Sequence, residues 1–558
     1  MNRLIRINMN NLSATIKDAP AEMEKLGGRA FCSHIIYNEI PPTCHPLGKA
    51  NKLIFAPGLL AGTAAPNSGR MSIGAKSPLT EGTKEANVGG TAGQKLGRLG
   101  IKAIILEGKP SDRNLYVIKV SNSGADLLPA PELSGLGNYE TTQKLHKAHG
   151  ENVSILCIGP AGEMRLAASS IASTDPEGRP SRHAARGGLG AVMGSKGVKA
   201  IVIDDSGAKV RKAKDRTAFK EVCTEFAKEI QELKSTKLFR QFGTVGGLSY
   251  LSKIGALPTR NFSAGSFEGN AQIGGKGVAQ LNAARGGRFG HVCMPGCVVR
   301  CSNVMHDEDG KFLTAGFEYE SSAMLGANLG IDDLDTVMTL EKMCDDFGLD
   351  TMEIGVALGV AHDAGILEFG NGLRIKDLIL EIGQGTVLGR VLGQGAKTTA
   401  RVFGISRVPV VKGQGIPAHD PRKEIGTGIG YATNPQGADH TGVIIFHVED
   451  TAEMVEISRQ KQINTCAYDS MGLCQMAEAN LEVMAKLVNG LYGWGWKPED
   501  VAALGKSVLE MEVTFNRRAG LGPESDRLPD FLTEEALPPH EGSFDIPGSE
   551  IDKVLDFK

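Results

Sequence analysis

Three thiols lie within nine residues in the stretch His291-Val-Cys-Met-Pro-Gly-Cys-Val-Val-Arg-Cys-Ser-Asn303. A fourth candidate, Cys474, lies far downstream in Asp469-Ser-Met-Gly-Leu-Cys474. Three clustered thiolates and one remote thiolate can hold a four-iron cluster, because each iron takes one cysteine ligand. The same set could hold a structural zinc ion, with His291 or His306 as further ligands, or the thiols could carry no metal. The spacing alone leaves these three interpretations open.

The composition excludes several classes of protein. The chain has 558 residues and a net charge of −3, so it has room for several domains and no electrostatic footprint for nucleic acid or anionic lipid. No apolar stretch is long enough to span a membrane, and no signal-peptide run follows the strand-like first eight residues. Ten cysteines, scattered apart from the cluster, do not resemble a disulfide framework. We therefore expect a cytoplasmic protein.

Residues 1–205 are predicted to form a β-rich domain with an internal repeat. The segment 87–93 leads into Gly100-Ile-Lys-Ala-Ile104, and the segment 186–196 leads into Gly197-Val-Lys-Ala-Ile201. Each half joins a glycine-rich turn to a buried strand, which indicates a duplicated unit. Such turns commonly cradle phosphates, although tight packing in a β-domain would use the same residues. The predicted strands are 52–56, 103–107, 116–120, 153–157 and 200–204.

Two mainly helical domains are predicted to follow, over residues 206–410 and 411–558, so the fold class is α+β. Apolar side chains recur every three to four residues over 215–237, and Gly348 supplies a left-handed stop after a helix at 332–347. Glycine and proline make residues 411–440 loop-like, and the last twenty or so residues are expected to lie over the surface. Further helices are predicted at 351–366, 375–383, 387–403, 450–468 and 475–491.

A second repeat reads Asp-x-x-Gly-Leu followed by Asp or Cys, at residues 345–350 and 469–474. Each copy follows a predicted helix, so it could be only a helix end with a glycine cap and a leucine anchor. A carboxylate is unfavourable there, because the helix macrodipole favours cations at a C-terminus. An acid kept at that place could pair with a donor-rich heterocycle. Two copies would then bind two similar ligand halves, and Cys474 would tie one half to the metal cluster.

These motifs together resemble the tungsten-containing aldehyde:ferredoxin oxidoreductase family along nearly the whole chain. Each segment alone is weakly specific, whereas their order and spacing together are specific. That family binds one tungsten through two pterin cofactors beside a four-iron cluster. The metal takes no ligand from the protein, so tungsten and molybdenum cannot be distinguished from the sequence. Besides the cysteine stretch and both Asp-x-x-Gly-Leu motifs, the matching segments are 69–72, 87–90, 186–196, 318–321 and 437–440.

The resemblance implies ligands for a [4Fe–4S] cluster, two pterins and a Mg²⁺ ion between the pterin phosphates, held partly by backbone carbonyls. One departure from the family is that its cluster usually begins Cys-x-x-Cys, whereas three residues separate the first two cysteines here. The implied cluster ligands are Cys293, Cys297, Cys301 and Cys474. The implied pterin ligands are Asp345, Leu349, Asp350, Asp469 and Leu473. The implied phosphate-facing residues are Arg70, Asn87, Gly89, Arg182, Ala184, Ala185 and Arg186.

For the chemistry, the resemblance points to Glu320 and His440 beside the metal. Glu320 would activate water or accept a proton, and His440 would hydrogen-bond the substrate oxygen, although His440 could equally be a core histidine. Glu318 competes with Glu320, because strand alternation would send both side chains to the same face. Structural roles are expected for His419, His447 and Cys344.

The implied activity is the oxidation of aldehydes to carboxylic acids, with electrons leaving through the cluster to ferredoxin or a partner iron–sulfur subunit. A ring-reducing catalytic subunit like that of the tungsten benzoyl-CoA reductases is an alternative within the same family. A zinc-stapled binding protein without redox activity is an alternative outside it. Family members that dimerise around a bridging iron use a Glu-x-x-His pair, which this sequence lacks. Any homo-oligomer would therefore form without that bridge.

Overall fold

The computed structural model describes residues 2–112 and 114–557. Its N-terminal part contains two six-stranded sheets. The strands of the first sheet are β1 Arg3–Asn8, β2 Ser13–Asp18, β3 Leu53–Pro57, β4 Met71–Lys76, β5 Thr83–Val88 and β6 Ile101–Glu107. The strands of the second sheet are β7 Tyr116–Ser121, β8 Gly124–Pro129, β9 Ser154–Cys157, β10 Ile171–Ser173, β11 Arg182–Ala184 and β12 Val198–Ile203.

The two sheets have the same topology. Their strand orders are β2-β1-β6-β3-β4-β5 and β8-β7-β12-β9-β10-β11, which match strand for strand. In each sheet one pair is parallel, β1 with β6 and β7 with β12, and the other pairs are antiparallel. Helices repeat at matching places too. They are α1 Gly28–Glu39 before β3 with α3 Asn138–His149 before β9, and α2 Ala92–Arg98 before β6 with α5 Leu189–Ser195 before β12. The short helix α4 Pro160–Glu163 after β9 has no helical counterpart after β3. The predicted duplication is confirmed.

The rest of the chain is mainly helical, as predicted. Three short strands form a small sheet beside the cysteines, and two more pair further on: β13 Arg288–His291, β14 Ser302–His306, β15 Phe312–Ala315, β16 Val410–Val411 and β17 Gln414–Gly415. The helices are α6 Arg216–Glu232, α7 Lys234–Phe242, α8 Leu248–Ile254, α9 Asn270–Ile273, α10 Gly275–Arg285, α11 Tyr319–Leu325, α12 Leu334–Phe347, α13 Thr351–Asp363, α14 Gly372–Gln384, α15 Val387–Gly393, α16 Ala396–Phe403, α17 Ile425–Thr433, α18 Thr451–Met471, α19 Leu481–Tyr492, α20 Pro498–Arg518, α21 Phe531–Glu534 and α22 Gly548–Asp552.

Some predicted elements differ from the structure. The helix expected over 215–237 is interrupted at Leu233, whose extended ψ of 133° separates α6 from α7. Gly395, at φ 89°, separates α15 from α16 in the same way. The segment 411–440 is not all loop, because it contains α17. The glycines of α17 lower its helix propensity but allow close packing, since a Cβ on Gly430 would lie 2.5 Å from Val443. The predicted domain boundaries near 205 and 410 stay predictions.

The three largest of six apolar clusters among the described residues hold these elements together. One contains buried side chains from both N-terminal sheets, such as Phe55 and Ile201. A second fills the helical region around α12 and α13. The third joins α6, α18 and α19 to the cysteine stretch, and it contains Cys297 and Cys474. Among the described residues, no helix is both long and apolar enough to cross a membrane.

Candidate active site

The two Asp-x-x-Gly-Leu turns are fastened to the two sheets in the same way. Gly348 ends α12 at φ 74°, and Gly472 ends α18 at φ 75°. The carbonyl of Gly348 accepts a 2.8 Å hydrogen bond from the backbone N–H of Ser170, and the carbonyl of Gly472 accepts one of 3.1 Å from Arg70. Ser170 directly precedes β10 and Arg70 directly precedes β4, which are matching strands. The two motifs are therefore held by equivalent points of the duplicated domain.

The first carboxylate of each turn is buried and has a basic partner. Asp345 Oδ1 lies 3.1 Å from Nε2 of His183, and Asp469 Oδ2 lies 3.3 Å from Nη1 of Arg29. Burial raises the pKa of Asp469 to about 6, despite the opposing charge of Arg29. The following leucines, Leu349 and Leu473, are buried. Each turn thus presents an acid at a helix end and anchors itself with a leucine.

Asp350 closes the first turn and begins the next helix. Its carboxylate accepts a 3.0 Å hydrogen bond from Met352 N–H, as an N-cap of α13. Arg186 Nε donates to Asp350 Oδ2 at 3.2 Å, and the guanidinium also donates to the carbonyls of Ala438 and Gly415. The structure therefore joins Arg186 to the first turn. A contact of Arg186 with a pterin phosphate stays a prediction.

The four predicted cluster cysteines come together. Cys293, Cys297, Cys301 and Cys474 share one apolar cluster and influence one another's ionisation. A hydrogen bond with Cys297, aided by Arg182 and Arg70, lowers the pKa of Cys293 to about 6, although burial opposes this. Burial raises the pKa of Cys301 and Cys474. The two histidines considered as zinc ligands contact other residues. His291 lies against the carboxylate of Asp175, and His306 lies within hydrogen-bond distance of the carbonyl of Arg285.

Asn67 ties the cysteines together, and the sequence did not single it out. Its carbonyl accepts a 2.9 Å hydrogen bond from Cys474 N–H, its Nδ2 lies 3.7 Å from Cys297 Sγ, and its Oδ1 accepts a 2.8 Å hydrogen bond from Val298 N–H. The remote cysteine is thereby joined to the cysteine stretch through one asparagine. Asn67 could have been noticed because it lies two residues before the segment 69–72, which resembles the family.

The other predicted phosphate-facing residues lie at equivalent sheet edges. Arg70 donates to both the side-chain and the backbone oxygen of Asn87 on β5. Gly89 lies against Cys293, because a Cβ on it would be 3.4 Å from the Cys293 carbonyl oxygen. On β11, Arg182 donates to Ser302 Oγ at 2.9 Å, and it faces the cysteines. Of the two remaining predicted residues, Ala184 is buried and Ala185 is half-buried.

Glu320 lies between two imidazoles. Its Oε1 is 3.5 Å from His440 Nε2 and 3.6 Å from His419 Nε2, and its Oε2 accepts a 2.9 Å hydrogen bond from Ala418 N–H. The expectation that Glu318 and Glu320 share a face is wrong. Glu320 is in the first turn of α11, whereas Glu318 is its N-cap, so helical geometry directs Glu318 away to Thr244 and Arg182.

The two histidines beside Glu320 differ in electrostatic environment. Burial lowers the pKa of His440. For His419 burial acts the same way, but the hydrogen bond and charge of Glu424, with the charge of Glu320, raise its pKa above the ordinary value. Nδ1 of His419 lies 3.3 Å from Glu424 Oε2. Sequence reasoning expected a structural role for His419, and no motif marked Glu424. His447, also expected to be structural, is exposed beside Tyr250.

A buried ion pair supports the loop that carries His440. Lys84 Nζ lies 3.1 Å from Asp439 Oδ2, and the other carboxylate oxygen accepts hydrogen bonds from the backbone and hydroxyl of Thr441. Although burial opposes the charge, Lys84, His440 and Arg186 hold the pKa of Asp439 well below its usual value. The pair is expected to fix the backbone next to His440.

The residues present fit a large polar cofactor. Several buried polar atoms have no hydrogen-bond partner among the residues that the structure describes, and such groups need an explanation in a folded protein. Five of these atoms belong to the predicted pterin, phosphate and catalytic residues, and the others, such as Thr236 Oγ1 and Asn282 Oδ1, belong to residues outside that set. Within residues 2–112 and 114–557, no group of three or more His, Cys, Asp or Glu side chains is arranged to hold one metal ion. The five atoms of the predicted site residues are Asn87 Nδ2, Arg182 Nε, Asp345 Oδ2, Glu320 Oε1 and His440 Nδ1.

Comparisons with known proteins cover almost the whole chain. The family models described as aldehyde ferredoxin oxidoreductase, N-terminal domain, and aldehyde ferredoxin oxidoreductase, domains 2 and 3, match residues 4–205 and 221–556. The tungsten-containing aldehyde ferredoxin oxidoreductases of Pyrococcus abyssi and Thermococcus kodakarensis are each 32% identical over 97% of this chain and 93% of the relative. The WOR-like subunit of an aliphatic sulfonate oxidoreductase of Pyrococcus furiosus is 26% identical over 85% of this chain and 78% of the relative.

A solved structure shares the fold. The active-site complex BamBC of benzoyl coenzyme A reductase, in complex with 1,5-dienoyl-CoA, superposes with a TM-score of 0.83. The alignment covers 100% of this chain and 93% of the other, at 18% sequence identity. At that identity the likeness shows the arrangement of the backbone.

Proposed function

The chain belongs to the aldehyde ferredoxin oxidoreductase family, and from that premise we propose that it oxidises aldehydes to carboxylic acids. The electrons would pass to ferredoxin or a partner iron–sulfur subunit. The observation that carries this proposal is the position of Glu320, whose carboxylate lies within 3.6 Å of both His440 and His419. Oxidation of an aldehyde with oxygen from water releases two protons, so the reaction needs a proton acceptor such as this carboxylate beside the substrate carbon.

The cofactors of this proposal fit the residues described above. A bis-pterin tungsten centre, or its molybdenum counterpart, would be held by the two Asp-x-x-Gly-Leu turns. A Mg²⁺ ion between the pterin phosphates would lie by Asn87 and the backbone of Ala184, at the matching edges of the two sheets. A [4Fe–4S] cluster would be held by the four cysteines. When bound, the tungsten centre supplies the acceptor for the two electrons of the substrate.

The chain's own residues supply proton transfer and orientation. Glu320 takes a proton from the water whose oxygen bonds to the aldehyde carbon. His440 donates a hydrogen bond from Nδ1 to the aldehyde oxygen, because Nδ1 has no partner among the described residues, whereas Nε2 faces Glu320 Oε1 at 3.5 Å. Ala418 N–H holds the other oxygen of Glu320 in place. One aldehyde and one water give one carboxylic acid, two protons and two electrons, because one O–H bond of the water and the C–H bond of the aldehyde break as the new C–O bond forms.

His419 extends the route for protons. It lies between Glu320 and Glu424, at 3.6 and 3.3 Å, so a proton accepted by Glu320 can move toward Glu424 through the imidazole. Thr427 Oγ1 donates at 3.3 Å to Glu424 Oε2, the same oxygen that faces His419. This arrangement gives His419 a place in the chemistry in addition to its packing. We also place the protein in the cytoplasm, where reducing conditions suit an iron–sulfur cluster.

Reduction of an aryl-coenzyme A thioester is the second candidate, because the BamBC structure shares the fold over the whole chain. The 32% identity to aldehyde oxidoreductases, against 18% to that structure, favours aldehydes. The deciding experiment uses anaerobically purified protein, a panel of aldehydes and a viologen dye, with benzoyl-CoA reduction measured in parallel. Dye reduction that depends on an aldehyde supports the proposal. Turnover of the thioester alone would support the second candidate.

A further inference from the structure

We infer that an acidic iron–sulfur protein docks along helix α6 and takes its electrons at the Cys297 edge of the cysteine site. This inference rests on the proposed function, since it requires that the four cysteines hold a redox cluster. It adds the surface that the carrier uses and the charge that the carrier must have.

A basic groove runs along α6 from Arg216 to Lys228 and along the segment before it. It has a volume of about 1170 Å³ and is lined by six cationic side chains against two acidic ones, Glu221 and Glu225. The whole chain has a net charge of −3, so this concentration of positive charge is local. We name this surface the basic groove. Its cations are Lys209, Arg211, Lys212, Arg216, Lys220 and Lys228.

Five of these cations are not neutralised within the described part of the chain. Arg211 is the exception, because its guanidinium donates hydrogen bonds within the protein, to the carbonyls of Leu59 and Ala61 and to Tyr492 Oη. The other five side chains are exposed, and they form no ion pair with the residues that the structure describes. Exposed charges of one sign raise the local concentration of an oppositely charged partner and its rate of association.

The wall of the basic groove leads directly to the cysteines. Ala64 lines the groove, and three residues later Asn67 contacts both Cys297 and Cys474. Three residues span at most about 10 Å of extended chain. The same loop is fastened to the second Asp-x-x-Gly-Leu turn, because Leu59 N–H donates to the Ser470 carbonyl at 3.0 Å. A partner in the groove therefore lies beside the loop that joins the remote cysteine to the others.

Helix α6 also leads from the basic groove to an opening at Cys297. Gln231 lines a second pocket, of about 350 Å³, together with Cys297, Val298 and two arginines. Gln231 is three residues beyond Lys228, which is about 4.5 Å along a helix axis. The arginines are Arg240, which donates to the Val298 carbonyl, and Arg300, which is exposed. The charged residues that line the Cys297 pocket are thus both arginines, although the exposed Glu229 and Glu232 of α6 lie on either side of Gln231 in the chain.

The extent of this surface favours a protein over a small anion. From Arg216 to Gln231 the helix runs about 22 Å, so an occupant that touches the basic groove and the Cys297 pocket must be of protein size. Because the surface ends at a cysteine that would ligate the cluster, the occupant that gains from binding there is an electron acceptor. Its acidic side chains would face the lysines, and its own cluster would approach Cys297.

The test is a charge reversal in the groove of the holoenzyme. Lys212→Glu/Lys220→Glu changes two exposed residues that have no place in the catalytic site. Purified ferredoxin is the probe, with its Kd measured by direct binding and its KM measured in aldehyde oxidation. We expect Kd and KM to rise about tenfold or more at low ionic strength, and their salt dependence to flatten. The rate with a viologen dye should stay at the wild-type value. The control Lys147→Glu/Lys376→Glu reverses two exposed lysines on α3 and α14.

Two results overturn the inference. In the first, the groove variant binds ferredoxin with the Kd and salt dependence of the wild type. In the second, the control variant loses as much affinity for ferredoxin as the groove variant does. Failure of the proposed function looks different, because the wild-type protein would then fail to reduce the dye with any aldehyde. In that case direct ferredoxin binding by the wild-type and groove variants still decides whether the surface is a docking site.

Discussion

Oε1 of Glu320 lies 3.5 Å from Nε2 of His440, although 120 residues separate the two in the chain. Helix α11 presents the carboxylate in its first turn, and the loop after α17 presents the imidazole. Their approach places an acceptor and a donor of protons beside buried polar atoms that lack partners.

Replacing Glu320 with glutamine should lower turnover by about a hundredfold or more, since general-base catalysis contributes at least that factor. Tungsten and iron contents should stay at wild-type levels, because Glu320 is not a proposed ligand. Steady-state rates and elemental analysis of the same preparation check both points. Glu318→Gln is the matched control, because Glu318 faces Thr244 and Arg182, and it should retain most of the activity. Near-wild-type rates for Glu320→Gln would remove that residue from the mechanism.

The pH profile should reveal the link between His419 and Glu424. The carboxylate of Glu424 raises the pKa of His419, so the imidazole stays protonated to a higher pH than an isolated histidine. Glu424→Gln removes that charge, and the limb of the kcat/KM profile that reports His419 should move to lower pH. The exposed Glu453 supplies the control variant Glu453→Gln. An unchanged profile in Glu424→Gln would exclude the proton route.

The glycine of the second turn should tolerate no side chain. Gly472→Ala places a Cβ at φ 75° and 2.8 Å from the Arg70 carbonyl oxygen, so strain and overlap act together. Gly404 also ends a helix in the left-handed region, but a Cβ there meets nothing within 4 Å. We expect Gly404→Ala to lower the free energy of unfolding by about 1 kcal/mol and Gly472→Ala to lower it clearly more. Thermal unfolding of both variants measures this, and equal losses would show that the approach to Arg70 is unimportant.

Cys474→Ser should damage the iron–sulfur cluster and leave the pterins bound. The serine keeps the size of the side chain but removes the thiolate that would be the fourth ligand. Iron content, visible absorption and released pterin should be measured together. Cys223→Ser, at a half-buried cysteine of α6, is the control. Wild-type iron content and absorption in Cys474→Ser would refute this ligand assignment.

The ion pair beneath His440 should make stability depend on pH. The pKa of Asp439 is depressed in the folded protein, so its contribution is present above the ordinary carboxyl pKa and is lost as the pH falls below it. Lys84→Met leaves a buried carboxylate without its cation, so it should lower the free energy of unfolding by about 3 to 5 kcal/mol at neutral pH. At about pH 3 the difference from the wild type should shrink, because Asp439 can then be protonated. Denaturant unfolding at both pH values checks this, and a constant difference would contradict it.

The sequence allowed prediction of the features that are local or periodic. Strands such as β6 and β12 follow from buried β-branched runs, and the two turns follow from a glycine cap after a predicted helix. The structure overturned expectations that depended on tertiary packing. The helix α17 forms despite three glycines because Val443, Ile445 and Phe544 pack against them. The direction of Glu318 depended on whether that segment was a strand or a helix end. The role of Asn67 could not be predicted because it contacts cysteines that are far away in the chain. Glu424 could not be predicted because neither it nor its partner His419 lies in a recognisable motif.

The most direct test of the account is metal and pterin analysis of the protein purified without oxygen. The central claim is that two matching turns hold the pterins of one heavy-metal centre, and that Cys474 connects it to iron. The account predicts close to one tungsten or molybdenum atom and about four iron atoms per chain, with pterin released on denaturation. Folded protein that contains zinc in place of these, and that releases no pterin, would contradict it.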